Sequence, residues 1–276
     1  MNSTTATKAT VSDATAASPQ SRPLVWPLAL PWLRVLLVAL AALATAGILS
    51  LLGQPAGPEA VGTLSALYLL PVNVVTLWLV ARLLRREGSS LRELIGFDRS
   101  RLGRDVAWGW LWLVVLWVPF MAAIMGTMFA LYGGGMFEAF ETVFAPESSH
   151  LPQWGFAASV VLAVLTVITF APLNAPAEEV AYRGYAQGRL AKRMPVLAVI
   201  LPSLAFGVQH IFFAQTTTGM LVYFVAFLAW GLGSALIFRW QGRLMPLIVA
   251  HLIVNLLTSL AGPHPSLRPL TRSISP

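Results

Sequence analysis

Seven mainly apolar stretches dominate this chain, at residues 32–52, 61–83, 106–132, 154–173, 196–213, 220–240 and 244–260. A helix crossing a bilayer needs about 20 such residues. Backbone in lipid must also satisfy its own hydrogen bonds, which leaves helices as the economical solution. The expected fold is therefore all-α: a polytopic transmembrane helical bundle of seven or eight spans, with a polar cavity open to the cytoplasm. Charged residues make up only 11% of the chain and hydrophobic ones 57%. A soluble domain carries roughly twice that charge, so one membrane domain fits better than two soluble ones.

Residues 1–22 are rich in Ser, Thr and Ala and read as a disordered tail, because they bury too little apolar surface to fold. A cleaved signal peptide fits less well, since ~30 residues precede the first apolar stretch and no normal n-region is that long. Residues 23–261 form the helical membrane domain and 262–276 a short tail. The longest interruption contains Leu91-Arg92-Glu93-Leu94-Ile95-Gly96-Phe97, which reads as a short interfacial helix. No internal repeat supports an inverted-repeat transporter.

The net charge of +7 does not point to nucleic acid, because the bases sit in short loops between apolar segments. Arg82, Arg85, Arg86, Arg92, Arg99, Arg101 and Arg104 crowd one connection; Arg189, Lys192 and Arg193 lie in a second; Arg239 and Arg243 flank a third. The connection at 133–153 has Glu138, Glu141 and Glu147 and no Arg or Lys. These alternate correctly if the basic loops and the N-terminus are cytoplasmic. Arg268 and Arg272 then fall outside, which an eighth span or a re-entrant segment would remedy. The expected setting is the plasma membrane of a bacterium, with the lipid bilayer as solvent and no nucleic-acid partner.

From Ser148 onward only two acidic residues remain, and they are adjacent: Glu178 and Glu179. Intramembrane carboxylates are costly and are kept for pathways or chemistry. Glu179 and Arg183 are four apart and can pair along a helix, leaving Glu178 free to act. His210 and His251 lie in apolar runs, and Asn255 follows His251 by four, on the same helix face. Met194-Pro195 reads as a turn, with Glu178 and His210 each ~24 Å from it along antiparallel helices, so the two can face each other. A carboxylate, two imidazoles, an amide and a guanidinium suit acyl hydrolysis by activated water.

Taken singly, each residue has a plainer reading. A membrane His or Asn often bonds one helix to another, Arg183 can snorkel, and paired acids can serve a transporter's proton path. Tyr182, Phe206 and Gln209 read as packing and supporting groups, and His150 and His264 as solvated. With no Cys in the chain, thiol nucleophiles, Cys-ligated zinc and disulfides are excluded.

Jointly, Glu178-Glu179-Val-Ala-Tyr-Arg183, Phe206-Gly-Val-Gln-His210 and His251-Leu-Ile-Val-Asn255 resemble the EExxxR, FxxxH and HxxxN motifs of the CAAX protease and bacteriocin-processing (CPBP, or Abi) membrane proteins. The resemblance covers residues 154–260. It implies a glutamate-dependent intramembrane endopeptidase, similar to the type II CAAX prenyl endopeptidases, acting on a membrane-associated CAAX-like or bacteriocin-like peptide or protein. Glu178 then matches the base that activates water, with His210 helping to position it. His251 and Asn255 match the oxyanion pair, and Glu179 and Arg183 the supporting ion pair. The resemblance leaves zinc-dependent and metal-free chemistry both open; a metal would take Glu178, His210 and His251. A site-2 type enzyme is excluded by the lack of HExxH, an aspartyl dyad by the lack of Asp in any span, and a rhomboid type by the residue after Ser234. A non-catalytic bacteriocin-immunity or adaptor protein on the same scaffold, and a proton-coupled transporter using Glu178, stay as alternatives.

Overall fold

The computed structural model describes residues 24–144 and 148–261. The expected tails at 1–22 and 262–276, with His264, Arg268 and Arg272, lie outside the described residues, as does Glu147. The described residues form an all-α polytopic bundle, α1 (Val25–Leu51), α2 (Pro58–Thr63), α3 (Ser65–Arg86), α4 (Leu91–Ile95), α5 (Leu102–Tyr132), α6 (Phe140–Phe144), α7 (Phe156–Leu190), α8 (Leu197–His210), α9 (Thr217–Gln241) and α10 (Met245–Ala261). Helices α1, α3, α7 and α9, and the segment holding α5, are long and apolar enough to cross a membrane; α8 and α10 are shorter. The protein is an integral membrane protein.

The ladder of elements follows local chemistry. Leu91–Ile95 is helical because Ser90 and Glu93 form a reciprocal capping box, and Gly96 ends it at φ 70°, where a side chain would be strained. Gly242, at φ 67°, similarly turns the chain from α9 into α10. The Met194-Pro195 turn separates α7 from α8, as expected. His150 is exposed, at the end of a short 3-10 turn.

α7 is the irregular element. Pro172 and Pro176 cannot donate to the carbonyls of Ile168 and Pro172, which removes two rungs of the α-ladder. The helix stays continuous by widening into π-helical turns at Thr166–Phe170 and Val180–Gln187. Such turns often mark functional sites. Here the second begins immediately after Glu178 and Glu179.

α8 spans only about 21 Å, less than the ~30 Å hydrocarbon layer. One end therefore stops at membrane depth, which is tolerated only inside protein or beside a cavity. His210 is its last residue.

α5 packs against α9 and α10, α10 against α7, and α1 against α3, α7 and α8. Close approach depends on small residues. A Cβ on Gly231 would lie 3.2 Å from the backbone of Ser203, so Gly231 and Ser203 bring α9 onto α8. A Cβ on Gly109 would lie 2.7 Å from Cβ of Val249 and 3.1 Å from the Pro246 carbonyl. Gly109→Ala should therefore lever α10 off α5, costing about 1–3 kcal/mol as an overpacked contact. A lower unfolding temperature in detergent is the expected readout, and an unchanged one would refute the tight seam. α5 begins earlier than its apolar run suggests and includes Asp105, buried in its first turn. That Asp accepts from both Nε (3.1 Å) and Nη2 of Arg243, at the basic end of the bundle.

Candidate active site

Glu178 and Glu179 stand side by side on α7, and both are buried. The expected ion pair forms: Arg183 Nη1 lies 3.1 Å from Glu179 Oε1. The Arg183 guanidinium also sits 4.4 Å from the centroid of the Phe206 ring, a cation–π contact in a desolvated setting. Phe206 in turn packs against both imidazoles, with ring centroids 4.5 Å from His210 and 6.1 Å from His251. One aromatic residue thus spaces the two histidines and covers the cation.

Glu178 is not the solitary carboxylate that the sequence suggested. Its Oε1 accepts from Arg34 Nη2 at 3.0 Å and from Gln209 Nε2 at 2.8 Å. Arg34, on α1, is itself fully buried and also donates to Thr76, Asn73, Asn174 and Gln209. Tyr182 OH completes the cluster by donating to Gln209 Oε1 at 2.8 Å. The correction has a plain cause. Arg34 is the single charged residue of α1, and a lone intramembrane Arg signals a buried partner. The helix that carries it begins seven residues before the expected span, at Val25, so Arg34 lies well inside it.

The hydrogen bonds also define the imidazoles. His210 Nδ1 lies 2.6 Å from the Phe206 carbonyl, which can only accept, so Nδ1 carries the proton and Nε2 presents a lone pair. The ring is held flat against Phe227, 3.6 Å between centroids. His251 Nδ1 is 3.0 Å from Glu179 Oε1, while its Nε2 is 3.5 Å from Glu178 Oε2. His251 therefore bridges the two carboxylates. Glu178 Oε2 and Asn255 Nδ2 are buried and have no hydrogen-bond partner.

These groups meet a cavity of about 690 Å³. Asn174, His210, His251 and Asn255 line it; Glu178 is not among the lining residues, although its partner His251 is. The cavity differs from the expected one in its wall. That wall is mostly aromatic and aliphatic rather than polar, with Trp117, Phe120, Phe170, Phe227 and Trp230 prominent. It includes Thr63, Ser65, Phe144, Trp154 and Gln215, from the connections that lack Arg and Lys. The reason is that α8 and α10 run from the basic end and carry His210 and Asn255 near their far ends.

Among the described residues, no three His, Cys, Asp or Glu side chains gather as a metal-binding group. His251 has Nδ1 on Glu179 Oε1 and Nε2 3.5 Å from Glu178 Oε2, and His210 has Nδ1 on the Phe206 carbonyl, so Nε2 of each ring and Glu178 Oε2 are the atoms that would hold a metal.

Residues 157–257 match the family model described as Rce1-like, type II CAAX prenyl endopeptidase Rce1-like. That match supports a CPBP/Rce1-like assignment. That family is one of CAAX-type intramembrane proteases, which implies a membrane-associated substrate. No curated protein and no solved structure matches the chain. The Rce1-like segment contains all three motifs, whereas Arg34, which holds Glu178 from α1, and Asn73 and Thr76, which accept from Arg34 on α3, lie outside it.

Proposed function

We propose that the protein is an intramembrane endopeptidase that hydrolyses a peptide bond of a membrane-associated substrate with water activated by Glu178. The observation carrying this reading is the set of unpartnered polar atoms beside the two imidazoles: two acceptors, Glu178 Oε2 and Glu179 Oε2, and a donor, Asn255 Nδ2. Buried polar groups are normally satisfied, and an orphan of each sign at one site calls for a molecule bearing both a proton to give and an oxygen to place. Water and a peptide carbonyl meet that description.

In this mechanism His210 Nε2 accepts a hydrogen bond from the water and orients it. Glu178 Oε2 takes the water's other proton as the resulting hydroxide oxygen attacks the carbonyl carbon. Asn255 Nδ2 donates to the developing oxyanion, and His251, held between the two carboxylates, supplies the second donor. The proton on Glu178 then passes to the leaving amine, and the C–N bond breaks. Arg34 and Gln209 occupy Oε1 throughout, which leaves Oε2 as the working atom. Glu179 and Arg183 fix His251 without touching substrate. No step is routed through a metal.

Asn255 separates this reading from simple helix-to-helix bonding. As an oxyanion donor, Asn255→Ala should lower kcat by about 10²–10³-fold and leave KM nearly unchanged. Because Nδ2 has no partner to lose, the unfolding temperature should stay near wild type or rise. A large loss of stability with intact kcat would assign Asn255 to packing instead.

A further inference from the structure

We propose that a second pocket, at the basic end of the bundle, binds the phosphate of an anionic phospholipid from the leaflet bordering the basic loops. The proposal rests on the fold and not on the peptidase reading. The pocket has a volume of about 290 Å³ and lies between the start of α5 and the end of α9. Arg104, Asp105, Trp108, Trp240, Gln241 and Arg243 line it, and it shares no lining residue with the cavity beside the glutamates.

The first observation is an excess of donors over acceptors. The one acid in the wall, Asp105, is buried and accepts from Arg243 through both carboxylate oxygens. Arg243 Nη2 also donates to the Gly96 carbonyl, and Nη1 has no hydrogen bond among the described residues. Gln241 spends Oε1 on Trp112 Nε1 at 2.9 Å, which leaves its Nε2 to donate. Arg104 is exposed and pairs with no acid among the described residues. The nearby acid, Asp98, is bonded to Ser100 and paired with Arg101 at 3.3 Å. A group that brings acceptors and negative charge is the complement of this wall, and guanidinium groups match a phosphate in both respects.

The second observation is an indole wall at headgroup depth. Trp108 and Trp112 stack with centroids 5.1 Å apart, and Trp240 meets both edge-on at 6.1 and 5.7 Å. Trp240 nevertheless remains 70% exposed. Indoles favour the boundary between headgroups and acyl chains, and basic pockets between membrane helices take anionic headgroups. Leu236, one turn deeper than Trp240 on the same face of α9, is also exposed, so acyl chains leaving the pocket meet apolar surface. The volume falls just short of the usual range for a whole organic ligand. It suits a headgroup whose tails stay in the bilayer, and a free phosphate would leave the indoles and Leu236 uncovered.

The test compares dioleoylphosphatidylglycerol, dioleoylphosphatidylcholine and glycerol 3-phosphate on the full chain purified in detergent. Native mass spectrometry should show the phosphatidylglycerol retained severalfold more than the phosphatidylcholine, and it should raise the unfolding temperature further. Glycerol 3-phosphate should do neither. Equal retention of the two lipids overturns the site, and stabilisation by glycerol 3-phosphate equal to that by the anionic lipid overturns the lipid as its source. Arg104→Gln should abolish the preference and melt like wild type in phosphatidylcholine, while Arg104→Lys should keep part of it. Arg86→Gln, at an exposed position on the same end but outside the pocket, should leave the preference intact. A preference that survives Arg104→Gln, or equal losses in the Arg104→Gln and Arg86→Gln proteins, would assign the effect to diffuse charge and overturn the pocket. These readouts are binding alone, so Glu178→Gln should show the wild-type preference whether or not it cleaves peptide.

Discussion

Glu178→Gln is expected to lower the rate of peptide cleavage by about 10²–10⁴-fold, the usual loss on removing a general base. The substitution keeps an oxygen to accept from Arg34 Nη2 and Gln209 Nε2, the two bonds that hold the native carboxylate at 3.0 and 2.8 Å. It removes the basicity of Oε2 and also the negative charge that faces the buried Arg34 guanidinium. The variant should therefore insert and purify but melt below wild type, and turnover of a membrane-anchored peptide in proteoliposomes is compared per folded molecule. Glu178→Ala is the poorer probe. It deletes the oxygens that accept from Arg34 and Gln209 as well as the charge, and mixes greater instability with lost chemistry. Wild-type turnover of a verified substrate by the Gln variant would remove Glu178 from its assigned role.

Arg34→Met should be the most destabilising single change of a residue outside the Rce1-like segment. Both Arg34 and Glu178 have fully buried side chains, 0% exposed. Removing one partner of such a pair leaves an uncompensated charge, at a cost of about 3–5 kcal/mol. The unfolding temperature in detergent should fall accordingly. The decisive measurement is the double variant. Adding Glu178→Gln to Arg34→Met neutralises the stranded carboxylate, so the pair should be more stable than Arg34→Met alone, a clear departure from additivity. Simple additivity would mean the pair contributes nothing. Arg34 is a positioning residue: it does not line the cavity, so Arg34→Lys should retain part of the stability and reduce kcat with KM largely preserved.

Several features were legible in the chain because they depend on neighbours in sequence. The apolar runs forecast the spans to within several residues at most ends, since length and hydropathy decide what lipid accepts. The short helix at Leu91–Ile95 was visible through its capping residues, and the Glu179–Arg183 pair through its spacing of four. Boundaries were least legible where a charge lies inside a span. Arg34 lies inside an α1 that begins seven residues before the expected span, and Asp105 inside an α5 that begins four residues before its own. Each is neutralised by a residue more than a hundred positions away. The π-helical turns of α7 were likewise hidden, because the prolines at 172 and 176 remove ladder bonds without marking where the helix widens to compensate.

Composition and spacing by themselves determined that this is a helical membrane protein, and which carboxylate, imidazoles and amide are worth comparing. Those properties follow from the solvent and from bonds within one helix. Only the tertiary structure decided that Glu178 is held by an arginine from the first helix, that the cavity wall is apolar, and that connections without Arg or Lys contribute to it. These depend on which helix faces meet and how deep each short helix reaches, and such contacts across long stretches of chain leave no periodic trace along it.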